Sequence, residues 1–196
     1  MPETPSDDSL LMVALQRGDE SVLPLLIKRW ERPLYSFSYR YVQNEQTARD
    51  IVEETIVRLF SKRDRYNPEY PLSTWLFTIA SNLCKNHARW KKRHPEHPWE
   101  HQPDGSKEST TWEDKISSDA PTPIEETERN ESHQLLKISI EQLPHDLKVV
   151  LLLHYYEGMS YKEISIVSNC SVRGIETRLY RARKHLKVHY ETVSAS

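Results

Sequence analysis

The sequence predicts an all-α fold: two small helical domains joined by a flexible acidic linker, the second domain carrying a helix-turn-helix. Three observations lead there. Only 4 of the 196 residues are Gly, and strands joined by tight turns usually need more. Apolar residues recur at helical spacing in the stretches on either side of residue 110. Between those stretches, Pro95 to about Ile124 shows no sustained period and is rich in Pro, Ser, Thr, Glu and Asp, as linkers that cannot bury enough apolar surface tend to be. The expected division is a domain over 1–94, a linker over 95–130, a second domain over 131–190 and a short tail over 191–196.

In the first domain, Asp7 or Asp8 is placed to cap a short helix over Leu10, Leu11, Val13, Ala14 and Leu15, which Gly18 ends. A second helical stretch covers Val22 to Val42, with a bend expected at Pro33. A third runs from about Glu45 to Lys62. Its Ala48, Ile51, Val52, Thr55, Ile56 and Leu59 keep a helical spacing, which leaves Arg49, Asp50, Glu53, Glu54 and Arg58 elsewhere on its surface. The loop DRYNPEYPL has two prolines and cannot be helical throughout. Ser73 is then expected to cap a long helix through Trp75, Leu76, Ile79, Ala80 and Leu83 that runs into Lys85, Arg89, Lys91, Lys92 and Arg93.

Charge is distributed unevenly. The formal net charge is −2, which by itself does not suggest a nucleic-acid binder. Residues 95–130, however, hold ten acidic residues against Lys107, Lys115 and Arg129, so both flanks are mildly basic without them. A flexible chain of that length spans roughly 30–36 Å and extends to about 120 Å. Such a tether can place two DNA-binding pieces on sites more than one helical turn, about 34 Å, apart. Cys84 and Cys170 lie far apart and form no disulfide framework. The acidic start MPETPSDDSLL lacks the basic segment of a signal peptide. Val149 to Leu153, the longest apolar stretch, is far too short to span a membrane. A cytoplasmic protein with no membrane insertion is expected.

The second domain begins with Leu135, Leu136, Ile138 and Leu143, followed by Pro144 and an apolar helix over Leu147 to Tyr155. The informative stretch is EGMSYKEISIVSNCSVRGIETRLYRARKHLK. Gly158 ends one helix, and Ser160 with Glu163 forms a capping box that starts the next, with Ile164 and Val167 inward. SNCS makes a short turn and Ser171 caps a third helix. Ile175, Leu179, Ala182 and Leu186 form its buried stripe, and Arg173, Glu176, Thr177, Tyr180, Arg181 and Lys184 stay on the outer face. Two short helices and a tight turn, the second helix polar and basic outside, describe a helix-turn-helix. Such a helix fits the major groove, its N-terminal half meets base edges, and flanking Arg and Lys hold phosphates. A helical hairpin with merely solvated charges is the bland alternative. Capping box, turn and basic helix occurring together argue against it.

This stretch resembles the C-terminal, −35-reading domain of extracytoplasmic-function (ECF) sigma factors of the sigma-70 family. The likeness lies in Leu143-Pro144 before an apolar helix, then EGMSYKEI and the RAR helix. The first domain resembles the same family's core-binding and −10-reading domain: ARDIVEETIVRLF matches its polymerase-binding helix, and STWLFTIASNLCKNHARWKKR its −10 element helix. The resemblance implies a non-enzymatic subunit, without cofactor or metal, that directs RNA polymerase to promoters. Its implied partners are the RNA polymerase core, promoter DNA and an anti-sigma factor. It assigns core binding to Asp50, Ile51, Glu53, Glu54 and Arg58. The −10 element falls to Asn82, Lys85, Asn86, Arg89, Lys91, Lys92 and Arg93, and the −35 element to Ser171, Arg173, Glu176, Thr177, Tyr180, Arg181 and Lys184. The sequence departs from the family where Arg49 replaces an acidic residue, Glu53 a Gln and Ile56 an aromatic. Glu176 stands where Lys or Arg is common; it is either an acceptor for a cytosine amino group or a neutral surface residue.

Other constellations point elsewhere with less force. Cys84, His87, His94, His97 and His101 are spaced irregularly for zinc, with no second Cys pair. Trp75 shares helical spacing with Leu76 and Ile79, so a core role is expected over base stacking. Tyr66 and Tyr70, in the loop, either stack on an unpaired base or pack locally. The basic run from Lys85 to Arg93 is a DNA contact or a solvated helix end favoured by the dipole; the helical spacing of Asn82, Lys85, Asn86 and Arg89 favours DNA. The rival functions are a free-standing helix-turn-helix regulator, whose first domain senses a signal or dimerises, and a metal-dependent enzyme.

Overall fold

The computed structural model describes residues 7–94 and 135–194; the expected linker, 95–130, and the histidines His97 and His101 lie outside them. All regular elements among the described residues are helical. The first four are α1 (Asp7–Gln16), α2 (Leu23–Val42), α3 (Glu45–Ser61) and α4 (Leu72–Arg93). Then come α5 (residues 135–141), α6 (His145–Tyr155), α7 (Tyr161–Val167) and α8 (Val172–Ser194). The all-α expectation and its two helical units stand.

Local sequence explains most of the boundaries. Gly18, at φ +94°, turns the chain after α1, and Gly158, at φ +65°, turns it after α6; both positions favour a residue without Cβ. Between α1 and α2 the Asp19 carboxylate accepts from the Ser21 amide at 3.1 Å, holding one turn of 3₁₀ helix over Glu20–Val22. The long helix therefore starts at Leu23 rather than Val22, and it continues through Pro33 without a break. Asn44 caps α3 by accepting from the Thr47 amide at 2.8 Å. The start of α4 departs from expectation. Pro71, in extended conformation, is the residue that precedes the helix, and Ser73 lies inside its first turn. The hydroxyl that works there belongs to Thr74, which donates to the Pro71 carbonyl at 2.8 Å. At the other end of the chain α8 runs to Ser194, through most of what was expected to be a tail.

Helices α2, α3 and α4 pack on one another, with α1 across them. Phe37 and Phe77, both buried, meet edge to face with ring centroids 5.4 Å apart, and Trp30 meets Phe77 at 6.2 Å. Arg29 ties α2 to α1 through Asp7, at 2.8 Å, and Asp8. Each fully buried Leu or Phe in this core contributes about 1.5–3 kcal/mol. In the second unit α6 packs on α8 and α7 on both. The two units also touch: α6 lies against α2, and α7 against α4. No helix among the described residues is long and apolar enough to cross a membrane.

Candidate functional site

Three polar surfaces follow from how the helices bury their apolar faces. On α3, Ala48, Ile51, Val52, Thr55 and Leu59 are buried. Asp50 and Glu53 are exposed and Glu54 half-buried. The Arg58 Nε donates to Glu54 Oε1 at 2.6 Å, one turn away, and Asp50 accepts from Gln46 at 2.9 Å. Ile51, expected among the polymerase contacts, is only 5% exposed. It belongs to the buried core of the first unit. Val57, 58% exposed, completes the stripe that runs from Asp50 through Glu53 and Glu54. Its chemistry was missed because it reads in sequence as one more helical apolar residue.

On α4 the buried face is Leu72, Leu76, Phe77, Ala80, Ser81 and Cys84. Asn82, Asn86, Arg89 and Arg93 are exposed and fall at helical spacing on one stripe; exposed Lys92 and half-buried Lys85 flank it, and Lys91 is exposed on the opposite side of the helix. The cations of the last turn also suit the negative end of the helix dipole. In the preceding loop, Tyr66 is buried: its hydroxyl donates to the Tyr70 carbonyl at 2.9 Å and lies 2.9 Å from Ser9 Oγ. Trp75 packs 5.5 Å from the Tyr66 ring, which gives it the core role expected. Tyr70 is 47% exposed and is the loop aromatic with a free face. Cys84 is fully buried, whereas His94 is exposed and stacks on Trp90 at 4.9 Å.

The helix-turn-helix is built as the capping pattern dictates. Ser160 and Glu163 form a reciprocal capping box: the Glu163 amide reaches Ser160 Oγ at 3.3 Å, and the Glu163 carboxylate accepts from the Ser160 amide at 2.8 Å. Asn169, at φ +46°, makes the turn, and Asn tolerates that left-handed conformation better than most residues. Ser171 Oγ accepts from the Gly174 amide at 3.1 Å and so caps α8. A Cβ on Gly174 would sit 3.3 Å from both Cys170 Sγ and Ser171 Oγ, so the close approach of turn and helix favours Gly there. Ile164, Val167, Ile175, Leu179 and Ala182 are buried. Arg173, Glu176, Thr177, Tyr180, Arg181 and Lys184 are all exposed, Tyr180 at 65%. The face offers cations, a carboxylate, a hydroxyl and a phenol, a set able to meet both base edges and phosphates.

The structure also places residues that the sequence reading did not single out. Lys148, inside the apolar run of α6, is only 6% exposed, and His145 lies beside Tyr41 of α2. Burial, with Lys85 next in weight and Arg89 and Arg178 adding to it, pushes the His145 imidazole down to about 4 against the pull of Asp146. Burial raises the Glu157 carboxyl to about 7, opposed by Arg40.

Comparison with known proteins gives a consistent picture. Sigma-70 region 2 matches residues 26–94, and Sigma-70, region 4 matches residues 134–186. The chain is 29% identical to the RNA polymerase sigma-H factor of Pseudomonas aeruginosa over 185 residues, covering 92% of each chain. It is also 29% identical to the ECF RNA polymerase sigma-E factor of Escherichia coli over 181 residues, covering 90% of this chain and 91% of that one. Among solved structures it shares its fold with CnrH in complex with the cytosolic domain of CnrY, with a TM-score of 0.68 at 20% identity, over 94% of this chain and 97% of that one. The sigma factor RpoE from Bartonella quintana, solved with the anti-sigma factor NepR, gives 0.58 at 20% identity, over 86% and 96%.

Proposed function

From a chain that belongs to the extracytoplasmic-function sigma factors of the sigma-70 family, we propose a division of labour among its three surfaces. The protein is an RNA polymerase sigma factor that binds the core enzyme and directs promoter-specific transcription initiation. Its first domain, residues 1–94, docks on core polymerase through the α3 stripe of Asp50, Glu53, Glu54 and Arg58. The same domain recognises the −10 element through Asn82, Lys85, Asn86, Arg89, Lys91, Lys92 and Arg93, together with Tyr70 of the loop that precedes α4. The second domain, about residues 131–190, enters the major groove at the −35 element with α8. Its work is recognition, and no catalytic group is required for it. An anti-sigma factor is the expected regulatory partner.

The observation that carries this reading is the exposed polar face of α8 behind a completed capping box, in a chain whose other unit exposes an acidic stripe on α3 and a basic one on α4. Their position nearer the N-terminus of α8 supports base readout by Arg173, Glu176, Thr177 and Tyr180, with Arg181 and Lys184 on backbone phosphates. Ser171 contributes by setting where the helix starts. Extracting a base at the −10 element costs a few kcal/mol, which side chains such as Asn82 and Tyr70 offset by hydrogen bonding and stacking.

The docking half is tested by affinity for core polymerase. Asp50→Lys together with Glu54→Lys reverses the charge of the α3 stripe without touching its buried face, so helicity should hold and core binding should weaken at least tenfold. Affinity equal to that of the unmodified chain would remove this surface from the interface.

A further inference from the structure

The five residues Val149 to Leu153 are all buried, and a helix apolar on every side needs cover on every side. Helix α8 of the same unit supplies one cover; α2 of the other unit supplies another. His145, Lys148 and Tyr156 mark the side toward α2. The Tyr41 hydroxyl lies 2.8 Å from His145 Nδ1. The Arg40 guanidinium lies over the Tyr156 ring, 4.2 Å from its centroid. Between these contacts sits Lys148. Its Nζ donates to the Glu141 carbonyl at 2.9 Å, reaches the Tyr41 carbonyl at 3.5 Å and stands 4.9 Å from the centre of the Tyr41 ring.

The two carbonyls explain why a cation is retained there. Tyr41 lies in the last turn of α2, which ends at Val42, and Glu141 is the last residue of α5. The last four carbonyls of a helix lack partners within it and form the negative end of its dipole. One ammonium thus serves the C-termini of two helices, one from each unit. We propose that Lys148 is a latch that holds the helix-turn-helix unit docked on the first unit in the free chain, and that docking crowds the Lys85 side of α4 while Arg89 stays exposed. Lys85 is half-buried, and Lys85 and Arg89 both act on the His145 imidazole of α6. Burial disfavours the Lys148 ammonium and Lys91 adds to that, while Glu141 and Cys84 favour it. A cation held against that penalty fixes a specific arrangement. The latch stands on these contacts alone; its consequence for promoter access rests on the reading of α4 given above. Opening then requires a partner that binds the separated form more tightly than the docked one.

The test uses the full chain with Cys170→Ser and spin labels on Arg17→Cys and Lys162→Cys. Cys84 stays unlabelled, because it is buried and its thiol is pushed up to about 12. The unmodified latch should give one narrow distance. Lys148→Met fills the same space but leaves both carbonyls without the ammonium. The docked-to-separated ratio should fall roughly ten- to a hundredfold, as loss of a charged hydrogen bond implies, and longer, broad distances should appear. Arg40→Ala, which leaves α6 untouched, should shift the ratio the same way by less, and it carries the comparison if Lys148→Met loses helicity. A broad distribution in the unmodified background, or the same narrow distance in both variants, overturns the latch. Affinity for a single-stranded −10 oligonucleotide is read in parallel and should rise in the opened variants. Separated labels with unchanged oligonucleotide affinity would support the latch and count against the α4 reading instead.

Discussion

At the scale of single residues, the proposed reading of the outer face of α8 distinguishes two kinds of contact that should fail differently. Glu176 is exposed at the N-terminal half of the helix. Its carboxylate can accept from a cytosine amino group but cannot pair with guanine acceptors. Glu176→Lys should therefore move the preferred base at one −35 position toward guanine, read by promoter selection from a randomised −35 library. Identical preferred sequences for both proteins would take Glu176 off the reading face. Lys184→Ala should instead weaken binding to every sequence and flatten the salt dependence by about one charge. These residues were legible in the sequence because a 3.6-residue period separates Ile175, Leu179 and Ala182 from their neighbours. The burial of Ile51 was legible in the same way, from its spacing with Ala48, Val52 and Thr55. His145 was not legible at all, since Tyr41 of α2 and Lys85 and Arg89 of α4, which surround it with Asp146 and Arg178, lie more than fifty residues away in sequence. Its docked position depresses its basicity, so the neutral ring supports docking above the ordinary value of 6.5 and that support is lost as pH falls toward about 4. An NMR titration of the full chain should find the His145 midpoint well below 6.5. A midpoint at the ordinary value would mean that the ring faces water and the docked arrangement does not persist.

At the scale of elements, caps decide where the helices of the helix-turn-helix start: Ser160 with Glu163 caps α7, and Ser171 caps α8. Ser160→Ala removes the acceptor of one half of the capping box, a loss of about 0.5–2 kcal/mol. In denaturant unfolding the helix-turn-helix should melt earlier by that amount, and core polymerase affinity should be unchanged; no loss of stability would mean that water replaces the cap. The capping box, the Gly158 end and the turn over Ser168 to Ser171 could all be read from local residues, because each is satisfied within a few positions. The start of α4 could not. Ser73 is a good capping residue by type, but Pro71, at φ −54° and ψ 139°, is the residue that precedes the helix, which begins directly after it. The fate of the loop tyrosines was also undecided locally. Tyr66 is buried because Ser9 and Trp75, from α1 and α4, close over it, and Tyr70 has no such cover.

At the scale of the whole molecule, the ten acidic residues of 95–130 lie between two mildly basic flanks, so a net charge of −2 is compatible with promoter binding. Two helical units and a helix-turn-helix were legible because periodicity and composition change sharply at about residues 94 and 131. The contact between the units was not, although the unbroken Val149–Leu153 run, with Lys148 at its edge, was its trace. A chain whose DNA-reading surfaces lie on separate units should act on DNA only when a third body holds both in register. Polymerase is that body, and here the sigma factor parts from a free-standing regulator, which would bind its site alone. The most direct measurement is transcription in vitro with purified core polymerase on a template carrying the region upstream of the protein's own gene. Initiation from one defined start only when the chain is added, with weak DNA binding by the chain alone, is the expected result. The same start without the chain, or tight sequence-specific DNA binding by the chain with no effect on polymerase, would contradict it.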